Sequence, residues 1–133
     1  MRVRIIPFLI AGGLVAVLAG CAHTGAKAHT LHVDSTAKVQ GKVGEVMSFG
    51  LPGNAGTGYT WNQVTTLPSF LQAIGEPTFV ADHADMPGSS GETRFEFKAM
   101  STGEGTLRFE YSRSWEKNVP PVRWAQVEVT ATR

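Results

Sequence analysis

An all-β domain, a sandwich of two antiparallel sheets with about seven strands, is what this sequence predicts, and three observations carry it. Helical periodicity is almost absent. Short segments rich in β-branched and aromatic residues recur between clusters of Gly, Pro, Asn and Asp. Several of these segments alternate apolar with polar residues, the pattern of a strand with one face in a core and one in water. No internal repeat or low-complexity block interrupts them, and a chain of this length suits a single domain.

The clearest strand is Thr93 to Ala99, with Phe95, Phe97 and Ala99 on one face and Arg94, Glu96 and Lys98 on the other. A turn is expected at Thr102-Gly-Glu-Gly105. Thr106 to Tyr111 follows, with Leu107, Phe109 and Tyr111 directed inward. Trp124 to Thr130 makes the last strand through Ala125, Val127 and Val129. Earlier strands are expected at Leu31–Val33, Ala37–Val39, Val46–Leu51 and Tyr59–Val64. Leu71–Ile74 and Pro77–Val80 read as a further hairpin, and a single helical turn is expected within Leu67–Leu71. Strands at ~8–12-residue spacing favour an immunoglobulin-like arrangement, without the Cys–Trp–Cys hallmark of antibody domains.

The domain begins behind a targeting segment. Arg2 and Arg4 precede an apolar stretch from Ile5 to Leu18 that Pro7, Gly12 and Gly13 interrupt. It falls short of the ~20 apolar residues of a membrane span and reads as a signal peptide over residues 1–20. Leu18-Ala-Gly-Cys21 closes it and resembles the bacterial lipobox, which implies acylation of the Cys21 thiol and cleavage before it. Cys21 is the single cysteine, so no intrachain disulfide can form. Ala22 behind it implies the outer membrane in a Gram-negative host. Residues 21–30 read as the lipidated cysteine and a flexible tether, and His23, His29 and His32 as solvated tether histidines rather than metal ligands. The folded domain is then residues 31–133.

Removing Arg2 and Arg4 takes Lys+Arg from 12 to 10 against 11 Asp+Glu, so the formal charge goes from +1 to −1. A near-neutral domain with scattered cations argues against nucleic acid, which needs clustered Lys and Arg. No cofactor is expected, and a monomer touching the membrane only through its lipid is.

Three loops stand out. Leu51 to Trp61 carries Gly53, Gly56 and Gly58 with Asn54, and Thr57 is its small polar side chain near the tip. So much glycine, bracketed by strands, makes a tightly shaped loop that can approach another surface closely. Met86-Pro-Gly-Ser-Ser-Gly-Glu92 is the second, with Gly88 and Gly91 around Ser89 and Ser90. The third is Tyr111-Ser-Arg-Ser-Trp-Glu116, where Trp115 follows a strand that is ending. A tryptophan on a loop is a frequent interface anchor, though packing back on its own domain is an equal alternative. In an immunoglobulin-like sandwich these would be the B–C, D–E and F–G connections, side by side at one end.

Those residues carry a resemblance. Asn54-Ala-Gly-Thr-Gly-Tyr59 resembles the Asn-Pro-Thr-Thr-Gly-Tyr/Phe loop of chagasin-type inhibitors of papain-like cysteine peptidases. Gly88 to Gly91 resembles that family's Gly-x-x-Gly loop, and Arg113-Ser114-Trp115 its Arg-Pro-Trp loop. The resemblance implies a reversible, tight-binding inhibitor whose three loops plug the active-site cleft. Thr57, with Gly56 and Gly58, would approach the catalytic Cys/His pair. Gly88, Ser89, Ser90 and Gly91 would offer main-chain hydrogen bonds along one side. Trp115 would stack on the other, braced by Arg113, while Asn54 and Tyr59 shape the central loop. Ala55, Gly56 and Ser114 stand where the family has Pro, Thr and Pro, so a looser wedge is expected.

Two other readings compete. A non-inhibitory envelope module could bind a peptide or another envelope protein through the same loops. A hydrolase drawn around Asp82-His83-Ala84-Asp85 lacks any nucleophile-elbow or metal-ligand spacing.

Overall fold

A computed structural model describes residues 25–133. The predicted signal peptide, Cys21 and the first tether residues therefore lie outside the described part. Nine strands are described: β1 (Lys27–Thr30), β2 (Ser35–Lys42), β3 (Val46–Asn54), β4 (Thr60–Gln63), β5 (Leu71–Ala73), β6 (Thr78–Ala81), β7 (Ser90–Ala99), β8 (Gly103–Ser112) and β9 (Arg123–Thr132). One sheet has the order β1-β3-β7-β5, with β6 also on β7, and the other β2-β9-β8-β4.

The alternating segments form as their sequence dictates. Phe95, Phe97 and Ala99 of β7 face Leu107 and Phe109 of β8 and Ala125, Val127 and Val129 of β9, and all are buried. Met47, Phe49 and Leu51 of β3 complete this core from the first sheet. Phe95 and Phe109 meet across the two layers with ring centroids 4.7 Å apart, a separation suited to aromatic contact. Fully burying one such ring stabilises by roughly 1.5–3 kcal/mol.

Five expectations are corrected. The sheets are mixed rather than antiparallel, because β1 pairs parallel with β3 and β2 parallel with β9. Lys27–Thr30, placed in the tether, is strand, while Leu31–Val33 is not. Leu71–Ala73 and Thr78–Ala81 both pair with β7 instead of forming a hairpin with each other. The expected turn at Thr102–Gly105 gives way to β8, whose pairing with β9 starts at Gly103↔Ala131. Leu67–Leu71 holds a simple turn closed by Leu71 N–H donating to the Pro68 carbonyl at 3.0 Å. The short helical turn is at Ala55–Thr57 instead.

The parallel pairing of β1 with β3 has a physical cause. Leu31 is buried and its N–H donates to the Gly50 carbonyl at 2.9 Å, so the chain before it is drawn alongside β3. His29 then packs on Phe49 at 5.7 Å. Its Nε2 is buried without a hydrogen-bond partner among the described residues. Burial, and secondarily the charge of Lys27, push the imidazole pKa below its usual 6.5. The fold therefore holds the neutral ring. Stability linked to this group is present above pH 6.5 and is lost as pH falls through the lower folded value.

Candidate functional site

The β3–β4, β6–β7 and β8–β9 connections emerge at one end of the sandwich. Register places them there, since Asn54 is opposite Ser90 and Thr60 opposite Ser112.

The central wedge, Asn54–Tyr59, is a single 3-10 turn with both ends capped. Asn54 is extended (φ −135°, ψ 114°), and its side-chain oxygen accepts from Gly56 N–H at 2.9 Å. An Asn in that position satisfies a donor the short turn would leave free. Thr57 Oγ1 donates to the Asn54 carbonyl at 2.8 Å and accepts from Tyr59 N–H at 3.4 Å. Gly58 ends the turn in the left-handed region at φ 78°, a conformation that disfavours side chains carrying a β-carbon. The wedge expected to be loose is thus closed by its own Asn and Thr.

Distant residues brace it. Tyr111 at the end of β8 accepts from Asn54 N–H at 3.1 Å and returns its hydroxyl to the Asn54 carbonyl at 3.4 Å. The Tyr111 ring stacks on Trp61 at 4.9 Å and lies 5.4 Å from Tyr59. Trp61 is buried, with Nε1 donating to the Pro52 carbonyl at 2.9 Å. Arg113 reaches the Thr57 carbonyl with Nε and one terminal nitrogen, both at 3.2 Å. Its other terminal nitrogen pairs with Glu116 at 3.2 Å, and the guanidinium lies 4.3 Å from the Tyr59 ring centre. A planar five-donor group can do all of this at once, which a lysine cannot.

The flanking loops touch the wedge. Trp115 is 66% exposed, yet the edge of its indole stands 2.5 Å from where a β-carbon on Gly58 would be. It therefore packs along the wedge of its own domain without entering the core, with most of the ring left exposed. Ser114 follows Arg113 in a turn that Glu116 N–H closes on the Arg113 carbonyl at 3.2 Å. On the other side, a β-carbon on Gly56 would lie 3.4 Å from Gly88 Cα.

The β6–β7 loop is two successive turns. Met86 N–H donates to the His83 carbonyl at 3.0 Å, and Ser89 N–H to the Met86 carbonyl at 3.2 Å. Pro87 and Gly88 occupy the centre of the second turn, with Gly88 at φ 77°, the pattern of a type II turn. Ser89 Oγ accepts from His83 N–H at 3.4 Å. Ser90 and Gly91, expected in this loop, are the first residues of β7. Gly91 is buried between Gly53 and Ala81 in the sheet.

Asn54 through Tyr59, Gly88, Ser89, Arg113, Ser114 and Trp115 are thus brought together, in the order β6–β7 loop, wedge, β8–β9 loop. Sequence reasoning put Tyr111 at the start of the third loop but gave it no role at the wedge, because its alternation with Leu107 and Phe109 marks it as core. Its hydroxyl was the available signal, since a phenol facing inward needs a polar partner. Of Asp82, His83 and Asp85, His83 meets the site through its backbone N–H, which donates to Ser89 Oγ. Among the described residues no cluster of three or more potential metal ligands occurs.

The three loops thus form one continuous ridge, with an exposed tryptophan on one flank. The chain belongs to the chagasin family of peptidase inhibitors (I42), whose model matches residues 40–129. It is 27% identical over 106 residues to amoebiasin-2 from Entamoeba histolytica, covering 77% of this chain and 85% of that protein. Its fold is similar to that of a cysteine protease inhibitor from Entamoeba histolytica, with a TM-score of 0.64 and 25% identity over 80% of this chain and 97% of the other. The fold is shared at a TM-score of 0.59 and 19% identity by PbICP-C, solved in complex with falcipain-2, over 80% of this chain and 100% of that one.

Proposed function

We propose that this protein inhibits papain-like cysteine peptidases reversibly, by seating the Gly88–Gly56–Gly58–Trp115 ridge in the active-site cleft. The observation that carries this reading is the contact of all three loops along one line, with Trp115 exposed beside the wedge. Family membership and the similarity to a cysteine protease inhibitor support the same target class. Thr57 forms the tip that approaches the catalytic cysteine. Its carbonyl is engaged by Arg113, which fixes the tip before binding and lowers the ordering cost of docking. Gly88 and Ser89 present backbone on one side, and Trp115 gives an apolar anchor on the other. The inhibitor acts as a monomer and by occupancy alone, without covalent chemistry.

Titration of the domain from Ala22 onward against papain or a cathepsin L-like peptidase tests this. Stoichiometric loss of activity that returns on dilution is expected. Full activity in the presence of folded domain would overturn it and favour an envelope module with another partner. Cys21 acylation makes the protein an envelope lipoprotein, in the outer membrane of a Gram-negative host. A Cys21→Ala chain should then leave the membrane fraction, and unchanged partitioning would refute the anchor.

A further inference from the structure

β1 runs parallel to β3, from Lys27 beside Met47 to Thr30 beside Gly50, and β3 runs toward the wedge. The chain therefore enters the domain at the end opposite the inhibitory ridge. The nine residues of β3 put roughly 30 Å between the two ends at about 3.3 Å per residue. Between Cys21 and Lys27 lie only five residues, 22 to 26. Six steps of at most about 3.6 Å keep Cys21 within roughly 20 Å of Lys27. That reach is shorter than the domain.

The base where the chain enters has its own character. Val43 and Met100 are exposed at 40% and 52%. They lie at the same end, because Gly44 N–H donates to the carbonyl of Ala99, the residue before Met100. Lys27 and Lys42 are exposed there and border, with Val43 and Gly25, an open recess of ≈ 590 Å³. Glu45 beside them accepts from Lys42 N–H at 3.0 Å, and with two lysines against this one carboxylate the recess keeps a net positive charge.

We infer that this base rests on an anionic phospholipid surface, so that the inhibitory ridge faces away from the bilayer. The inference rests on acylation of Cys21. An acyl chain on a long tether would let the domain tumble, whereas β1 fixes the point of entry and the short connection holds that end down. Val43 and Met100 enter the interface while Lys27 and Lys42 meet phosphate headgroups. The ridge is then presented to peptidases arriving from the aqueous side.

The test uses the full chain, acylated in a Gram-negative host and reconstituted in phosphatidylethanolamine–phosphatidylglycerol vesicles carrying a lipid-attached quencher. Acylation consumes the single thiol, so Val43→Cys or Lys117→Cys introduces one site for a fluorophore. Strong quenching at position 43 and background quenching at 117 are expected. Lys27→Glu with Lys42→Glu should bring the signal at 43 down to that on neutral phosphatidylcholine vesicles. Equal quenching at both positions in membrane-bound protein overturns the orientation, and retained quenching in the double variant overturns the headgroup contact. Chain recovered unacylated, by intact mass, overturns the Cys21 reading and this inference with it, leaving inhibition in solution unaffected.

Discussion

The wedge and the β6–β7 loop sit side by side and are held in different ways. The wedge owes its position to residues more than fifty places away: Tyr111 on the Asn54 backbone, Arg113 on the Thr57 carbonyl, Trp115 along Gly58. The β6–β7 loop is held by hydrogen bonds between residues at most eight apart, and touches the wedge where Gly88 meets Gly56. Both loops carry local turn bonds, but only the wedge is also tied to residues at the far end of β8. Damage to the first should therefore spread to the third loop, while damage to the second should stay local.

The largest expected effect comes from Gly58→Val. The β-carbon meets Trp115 and the backbone is at φ 78°, which strains a β-branched residue by about 1–3 kcal/mol. Wedge and tryptophan both move, so inhibition should fall by more than either alone would give, and the melting temperature should drop by several degrees because the strain is relieved on unfolding. Measured inhibition constants close to wild type would mean that the ridge tolerates rearrangement and that the loops are not coupled. Trp115→Ala should come next, at about 2 kcal/mol or more of binding free energy for an interface anchor, with stability unaltered because the ring is mostly exposed. A clear loss of thermal stability would instead show that the indole supports the wedge from within.

Gly88→Ala sharpens the comparison from the other side. Left-handed backbone costs a residue with a β-carbon about 1–2 kcal/mol, and the strain is confined to a turn that neighbours the wedge at one point. Inhibition should weaken several-fold while Trp115 fluorescence stays as in the wild type. A fluorescence shift equal to that of Gly58→Val would erase the distinction between the two loops.

The same distinction governs what could be read from the sequence. β7, β8 and β9 were legible because a period of two with Phe, Leu and Val leaves one choice of face. The β6–β7 loop was legible in part: Gly88 and Ser89 fall in it as expected, while Ser90 and Gly91 are drawn into β7 by its pairing with β3 and β6. β1 was not: Lys27-Ala-His-Thr30 has no alternation of its own and is strand only because β3 accepts it. β5 and β6 were found, but pairing both with β7 depends on that ten-residue strand being long enough to serve two partners. In the site, Thr57 and Trp115 are visible as residue types out of place, whereas the bracing by Tyr111 is a contact across the fold that spacing cannot express.

The smallest effect tests the wedge itself. Ala55 is the first residue of the 3-10 turn and follows Asn54 in an extended conformation. Proline is at home there, since it needs an extended residue before it and is favoured at the first position of a helical turn. Ala55→Pro should therefore keep the native geometry and remove conformational freedom from the unbound chain, worth about 0.4–1 kcal/mol. Because the Asn54, Thr57, Tyr111 and Arg113 hydrogen bonds already hold the wedge, the gain should appear in the melting temperature and only as a two- to five-fold tightening of inhibition at most. A much larger tightening would show that the wedge is mobile before it binds, and that its bracing from β8 is weaker than its distances imply.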